Sequence, residues 1–536
     1  MKGECLVKEI QMKNFRSLKD TGMQKLSPIT ILVGENSSGK STFLRAFPLL
    51  KQSISKRTSG PILWAGDVND YVDFGSFKET VTNDKSKEIT FGFKFDVSDL
   101  GLDYGFLSLG YFLGEEKKKS REKEYTIRYE MTLKSIRSND VVTGLSLSIN
   151  DTRIDFSIRE KIIRTNGGYV FKERARKNED NNEFKNRTMF GRASAHSRTF
   201  GYTLPDIGGL LDRIFSKLPN SENEDFETFE FAQITAKIGE KLANNKPVDF
   251  LDIMDIDDYD EDYIETYNGI VSMLNRTDDS DFREILKICF FYRAFGAIDE
   301  YLSVYFKQVH YIAPVRATAE RYYRLRNFAV DEVDFQGKNL AIFINSLSKK
   351  RLDDFQAWTN EQFGFAVSVK KTSGHLSLQI KLKDSTQEIN LSDTGFGYSQ
   401  ILPIITQLWE LSTQEKKHQQ TFPRLTETLP LVVAIEQPEL HLHPAIQAKL
   451  AKAFIASIDL ARSNGYELQL IMETHSQTIV NYFGRAIARG QLNAGDVSLI
   501  FFEKKPGENL TTVHKSFYDR DGYLHDWPYG FFDSED

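Results

Sequence analysis

One loop constrains this chain more than any other stretch. The run Ile29-Thr30-Ile31-Leu32-Val33, bounded by Pro28 and Gly34, is rich in β-branched residues and reads as a buried strand. It leads directly into Gly34-Glu35-Asn36-Ser37-Ser38-Gly39-Lys40-Ser41, after which Ser41 to Phe47 reads as a helix. That order satisfies G-x-x-x-x-G-K-[ST], a loop whose backbone N–H groups curl around phosphates at the positive end of a helix dipole. Gly34, Glu35, Asn36, Ser37, Ser38, Gly39, Lys40, Ser41 and Thr42 are therefore the candidate cradle for ATP. Lys40 is placed to reach the β- and γ-phosphates, and the Ser41 hydroxyl to ligate Mg²⁺.

A strand feeding a helix in this way needs other parallel strands beside it. Leu431-Val432-Val433-Ala434-Ile435 and Leu468-Gln469-Leu470-Ile471-Met472 are short and continuously apolar, as a sheet covered on both faces requires. Residues 88 to 175 instead alternate, as in Thr90-Phe91-Gly92-Phe93-Lys94-Phe95, and predict antiparallel strands with one wet face. From Pro205 to about Lys307 the apolar spacing turns helical. The expected fold is α/β: a mixed sheet with covering helices, into which an antiparallel β region and a helical region are inserted. The corresponding boundaries are 1–80 for the first part of the head, 81–204 for the β-rich lobe, 205–307 for the helical acidic insertion and 308–536 for the second part with a short tail. The 536 residues exceed one ordinary core, and 40% hydrophobic with 27% charged residues exclude a disordered or fibrous chain. The charged N-terminus, the lack of a long apolar run and only two cysteines, Cys5 and Cys289, lead to the expectation of a soluble cytoplasmic protein with no membrane partner.

The strand at 431–435 runs into Glu436-Gln437-Pro438-Glu439-Leu440-His441-Leu442-His443-Pro444. An apolar strand ending in a carboxylate is the Walker B layout, so Glu436 joins Ser41 as a candidate holder of Mg²⁺. The strand at 468–472 likewise ends in Glu473-Thr474-His475-Ser476. A lone histidine is ordinarily a surface or core residue, but one after a strand beside Walker B can hydrogen-bond a γ-phosphate. His441 and His443 have the H-x-H spacing of some zinc sites, yet no third ligand accompanies them. Between these strands, Leu391-Ser392-Asp393-Thr394-Gly395-Phe396-Gly397-Tyr398-Ser399-Gln400 precedes an apolar helix. It reads either as a turn with a helix cap or as a second anion-binding helix start, which would let two chains sandwich ATP.

The order N-x-R-S, G-E-N-S-S-G-K-S-T, S-D-T-G-F-G-Y-S-Q, E-Q-P-E-L-H-L-H-P, E-T-H-S resembles ABC-type ATPases of the RecF and OLD (overcoming lysogenization defect) group. The likeness covers about 1–80 and 300–536. Asp521-Gly522 through Asp526-Trp527-Pro528-Tyr529-Gly530-Phe531-Phe532 looks like the tail of a prokaryotic branch whose C-terminal domain is uncharacterised. ATPase subunits of anti-phage systems, Septu-type and retron-associated, are similar in layout. The resemblance implies an ABC-type P-loop head and a head-to-head homodimer, or a higher homo-oligomer, burying two ATPs. Ser392, Gly395, Gly397, Ser399 and Gln400 would touch the partner's γ-phosphate, and either serine could take the main part. It also implies ATP hydrolysis coupled to a separate effector, a nuclease or toxin. A RecF-like repair ATPase acting on DNA and a nucleotide-gated scaffold are the alternatives.

Three departures from the family pattern stand out. Gln437 occupies the usual position of the catalytic glutamate, and an amide can orient water but cannot take its proton. Slow hydrolysis is the expectation, unless Glu439 on the same loop serves as base. Only 61 residues follow His475, without the carboxylate cluster of a Toprim nuclease. The long coiled coil of SMC and Rad50 relatives is also missing.

Basic residues gather over Arg159–Arg198 and Arg316–Arg326, the second interleaved with Tyr322 and Tyr323. Such runs are either solvated faces or nucleic-acid contacts. The net charge of −7 traces to Asp249–Glu284, where 13 acids face only Arg276 and Arg283. The rest of the chain is slightly positive, so the total does not exclude nucleic acid. The acidic patch lacks the glycine and spacing of a calcium loop and reads as a docking surface or simply as a solubilising one.

Overall fold

The structure, a computed structural model, describes residues 6–97, 125–172, 235–244, 268–275, 280–414 and 430–528, less a few short stretches within them. The chain opens with β1 (Val7–Phe15), β2 (Leu18–Asp20), β3 (Gln24–Lys25) and β4 (Ile29–Gly34), then α1 (Lys40–Ser55) and the short α2 (Phe77–Thr80). The alternating stretch forms β5 (Glu88–Val97), β6 (Tyr125–Ile136), β7 (Asn139–Ile149), β8 (Thr152–Ser157), β9 (Ile162–Thr165) and β10 (Val170–Lys172). These pair antiparallel in the order β10-β9-β8-β7-β6-β5-β1-β2, with β3 also on β1. The first residues thus divide between two sheets: β1 to β3 serve the antiparallel one, and β4 the other.

The remaining elements are α3 (Ser280–Lys307), β11 (Val309–Ile312), β12 (Tyr323–Arg324), α4 (Leu340–Ser346), α5 (Lys349–Phe363), β13 (Phe365–Thr372), β14 (His375–Leu382), β15 (Glu388–Asn390) and α6 (Phe396–Ser412). After them come β16 (Pro430–Glu436), α7 (Pro444–Ser463), β17 (Glu467–Glu473), α8 (Gln477–Ala488), β18 (Val497–Glu503), β19 (Thr512–Tyr518) and β20 (Leu524–His525). The central sheet runs β11-β16-β17-β4-β18-β19-β20, and its first five strands are parallel. The early and late apolar strands therefore complete one mixed sheet, and the expected α/β fold is present. β17 lies directly between the carboxylate strand β16 and the loop strand β4.

The two faces of this sheet explain its continuous apolar strands. Leu32, Val432, Ala434, Ile471, Ile500 and Phe502 point into one core, whereas Ile31, Val433, Ile435, Leu470, Met472 and Leu499 point into the other. The first core is shared with α1, α3 and the antiparallel sheet. Phe95 stacks on Tyr301 with ring centroids 4.4 Å apart, and Phe47 meets Phe306 at 6.3 Å. The β-rich region and the last helix of 205–307 are consequently one packed body. Cys289 of α3 is buried there, and burial pushes its thiol up to about 12. The second core holds α4 to α8 and the small sheet β12-β14-β13 with β15 on β14. Residues 173–234 and 245–267, including most of the acidic patch and the basic run beyond Lys172, lie outside the described residues. No described helix is long and apolar enough to cross a membrane.

Candidate nucleotide site

The loop after β4 needs backbone that ordinary side chains resist. Gly39 sits at φ 100° and Ser37 at φ 61°. At Gly34 a Cβ would lie 2.2 Å from the Phe502 carbonyl oxygen of β18, so the chain can only pass there as glycine. The loop, with Arg16, Ser17, Arg45, Phe74, Gln437 and Glu473, lines a cavity of roughly 550 Å³. Arg16 lies over the Phe74 ring at 5.3 Å, which brings the Asp73–Phe77 loop to the rim. The C-terminal segment braces the same place. Thr511 donates its amide to the Ser17 carbonyl at 2.9 Å, and its hydroxyl to Ser17 Oγ at 3.0 Å.

Lys40 is almost fully buried, and its Nζ donates to the carbonyls of Gly34 (3.0 Å) and Glu35 (2.6 Å) and lies 3.8 Å from Glu473 Oε1. Burial lowers its pKa, against the pull of Glu473, Glu439 and Glu35. The ammonium is thus held in the loop by contacts that phosphate oxygens can take over. Ser38 Oγ is buried with no hydrogen-bond partner among the described residues.

Glu436 and Glu473 end neighbouring strands and are direct Cα partners. Their surroundings differ sharply. Both Glu436 oxygens are clamped by Arg45, Nε to Oε1 at 2.6 Å and Nη2 to Oε2 at 2.7 Å, and the Tyr311 hydroxyl donates to Oε1 at 2.6 Å. The bidentate bond holds the Arg45 guanidinium firmly protonated, with its pKa raised. Glu473, 4% exposed, lines the cavity, and its Oε2 has no hydrogen-bond partner among the described residues. Burial pushes the Glu473 carboxyl up, while the neighbouring Ser41 hydroxyl, Lys40 and Arg45 draw it down. Ser41 and Glu436 are the expected pair for Mg²⁺; in the structure the carboxylate beside the Ser41 hydroxyl is Glu473. An orphaned buried carboxylate oxygen facing a hydroxyl and a phosphate loop is a donor set that fits Mg²⁺.

A family model described as AAA ATPase domain matches residues 6–480. The chain belongs to the AAA ATPase domain family. A second model, a protein family of unknown function (DUF3696), matches residues 492–536 and covers β18 to β20. The uncharacterized protein MJECL10 of Methanocaldococcus jannaschii is 24% identical over 176 residues, 31% of this chain and 77% of that one. Among solved structures, the Smc head domain of Pyrococcus furiosus bound to the C-terminal domain of ScpA matches with TM-score 0.32 and 12% identity, covering 96% of each chain. The SMC head domain from Thermotoga maritima matches with TM-score 0.33 and 10% identity, covering 95% of this chain and 98% of that one.

Within this ATPase domain the other expected residues lie in different surroundings. Gln437 lines the cavity at φ 43°, pinned by its N–H to the Glu473 carbonyl (2.9 Å) and by Arg316 Nη2 to its own carbonyl (3.0 Å). His475 is half-buried, with Nε2 unpartnered among the described residues. Burial and Lys40 lower its pKa, keeping the imidazole neutral. Glu439 does not present a free base. Its Oε2 accepts from Thr474 Oγ1 at 2.8 Å and its Oε1 from the His475 amide at 2.7 Å, so it staples one loop to the next.

In the glycine–serine segment, Gly395 caps α6 and Ser392 Oγ donates to Asn390 Oδ1 at 2.9 Å. Asp393, Gly395 and Phe396 are exposed and Gly397 is half-buried. Ser399 and Gln400 are buried against their own protomer. Ser399 Oγ is bonded to the Phe396 carbonyl at 2.7 Å and Gln400 Nε2 reaches the Arg316 carbonyl at 3.5 Å, so neither side chain faces outward. His441 packs edge-on against Phe396 at 4.9 Å, and His443 Nδ1 accepts from the Ala445 amide to cap α7. No metal-sized cluster of His, Cys, Asp or Glu forms among the described residues.

Arg316 is a correction to the nucleic-acid expectation. It is 3% exposed, donates to the Glu436 and Gln437 carbonyls, and burial pushes it down to about 10. Arg321 is paired with Asp393. Of the described basic residues in that run Arg324 remains exposed without an ion pair, beside the exposed Tyr322, and Arg326 lies outside the described residues. Arg45 and Tyr311 escaped the sequence reading. Arg45 lies four residues after Ser41 on one helix face, a spacing that could have flagged it; nothing local marks Tyr311.

Proposed function

We propose that this chain binds MgATP, hydrolyses it slowly, and uses the ATP-bound state to pair two copies and control a separate effector. The observation that carries the reading is the convergence of Lys40, Ser41, Glu473 and Gln437 on one cavity, with an amide where a base is needed. Bound Mg²⁺ would neutralise charge on the β- and γ-phosphates and is held through Ser41 and a strand-end carboxylate. Lys40 binds phosphate oxygens, neutral His475 offers Nε2 to the γ-phosphate, and the Gln437 amide orients water without accepting its proton. ATP then persists long enough to act as a signal. Two heads are joined by the exposed face Ser392–Gly397 contacting the other copy's phosphate. The likeness to ATPase subunits of anti-phage systems supports a nuclease or toxin as effector. A direct DNA role through 316–326 is weakened by the burial of Arg316 and the pairing of Arg321.

Size-exclusion chromatography with light scattering, with and without MgATP, tests this. The wild type is expected to double in mass and to carry unhydrolysed ATP in the dimer peak, whereas Lys40→Ala stays monomeric and nucleotide-free. An unchanged mass with no retained ATP would contradict the reading.

A further inference from the structure

Two carboxylates end the neighbouring strands β16 and β17, of which Glu473 lines the cavity, and their hydrogen bonds give them different work. Glu436 stands where a Walker B acid is expected, yet Arg45 takes both its oxygens and Tyr311 adds a third bond. Its backbone carbonyl is also occupied, by Arg316 at 2.9 Å. A carboxylate neutralised in a bidentate ion pair has little charge left to offer a hydrated cation. Glu473 is one strand closer to the loop, in register with Leu32 of β4 as well as with Glu436. Its side chain is 5% exposed, its Oε1 lies 3.8 Å from Lys40 Nζ, and its Oε2 has no partner among the described residues. An unsatisfied buried carboxylate oxygen costs free energy, and such a cost is characteristic of a group that waits for a ligand.

We propose that Glu473, and not the arginine-clamped Glu436, is the acid through which this chain holds the Mg²⁺ of its nucleotide. The Arg45–Glu436–Tyr311 cluster acts as a strut that fixes the strand ends and the first turns of α1 around it. This assignment rests on the nucleotide reading above.

The affinity of mant-ATP, measured by fluorescence in Mg²⁺ and in EDTA, tests it. In the wild type Mg²⁺ tightens binding, and Glu473→Gln is expected to remove about 10–100-fold of that gain, the size typical of lost metal-site support. Binding in EDTA is retained or tightened, since the variant removes a negative charge beside Lys40, and this also reports a folded loop. Glu436→Gln keeps the Mg²⁺ gain. If Glu473→Gln fails to fold, Glu473→Asp carries the test, since a shortened carboxylate weakens the Mg²⁺ gain and spares binding in EDTA. A full Mg²⁺ gain in the Glu473 variant, or an equal loss in Glu436→Gln, would overturn the assignment. Absence of mant-ATP binding by the wild type in both buffers would instead overturn the nucleotide reading, and this assignment with it.

Discussion

Two carboxylates buried on adjacent strand ends repel each other and lose hydration, a cost of several kcal/mol per ion if nothing compensates. Arg45 compensates one of them, and Lys40 at 3.8 Å compensates the other in part. Gln437 follows directly at φ 43°, a conformation that costs a non-glycine residue about 1–3 kcal/mol and persists only where neighbours enforce it. Here the Glu473 carbonyl and Arg316 enforce it. His475 contributes to the pH dependence of the site. Its folded pKa lies below the ordinary 6.5, so the folded protein binds fewer protons than the unfolded chain as pH falls. Its contribution to stability is intact above that value and is lost on acidification. The wild-type urea midpoint should therefore fall between about pH 7.5 and about pH 5.5 by more than that of His475→Gln. Equal falls would show that His475 is not held neutral.

At the scale of elements, the turn from β17 into α8 brings Glu473 and His475, two of the candidate site residues, within three positions of each other. Glu439 fixes its start through Thr474 and the His475 amide. Ser476 fixes its end, accepting from the Ile479 amide at 3.1 Å and donating to Gln447 Oε1 at 2.6 Å. Ser476→Ala should lower stability by about 1 kcal/mol, as loss of a helix cap does, seen as a lower urea midpoint at unchanged slope. An unchanged midpoint would mean that the cap does not hold the turn. The loop after β4 and the two carboxylate strands were legible in the sequence because each is a local pattern: an apolar run followed by glycines or an acid. The division of labour between Glu436 and Glu473 was not, because it depends on Arg45 reaching across from α1 and Tyr311 from β11. Arg316 shows the same gap. Its neighbours in sequence suggested a basic patch, while its partners are carbonyls 120 and 121 residues away.

At the scale of the whole molecule, the segment of unknown function at 492–536 is part of the site's foundation. β18 pairs with β4 along its length, Phe502 touches Phe43 of α1 with centroids 5.5 Å apart, and its carbonyl forces glycine at position 34. The antiparallel sheet and α3 share a core with the nucleotide sheet, so a change at the cavity has a rigid route to both. This arrangement suits a switch whose useful state is the ATP-bound one, which requires slow hydrolysis. On the proposed reading, hydrolysis is slowed at one atom: an amide nitrogen at Gln437 where a second carboxylate oxygen would accept the water's proton. Single-turnover hydrolysis of ATP by wild type and Gln437→Glu measures this directly. The variant should hydrolyse faster, by tenfold or more, since a positioned base contributes about 10²–10⁴. A rate unchanged or slower in Gln437→Glu would contradict the account.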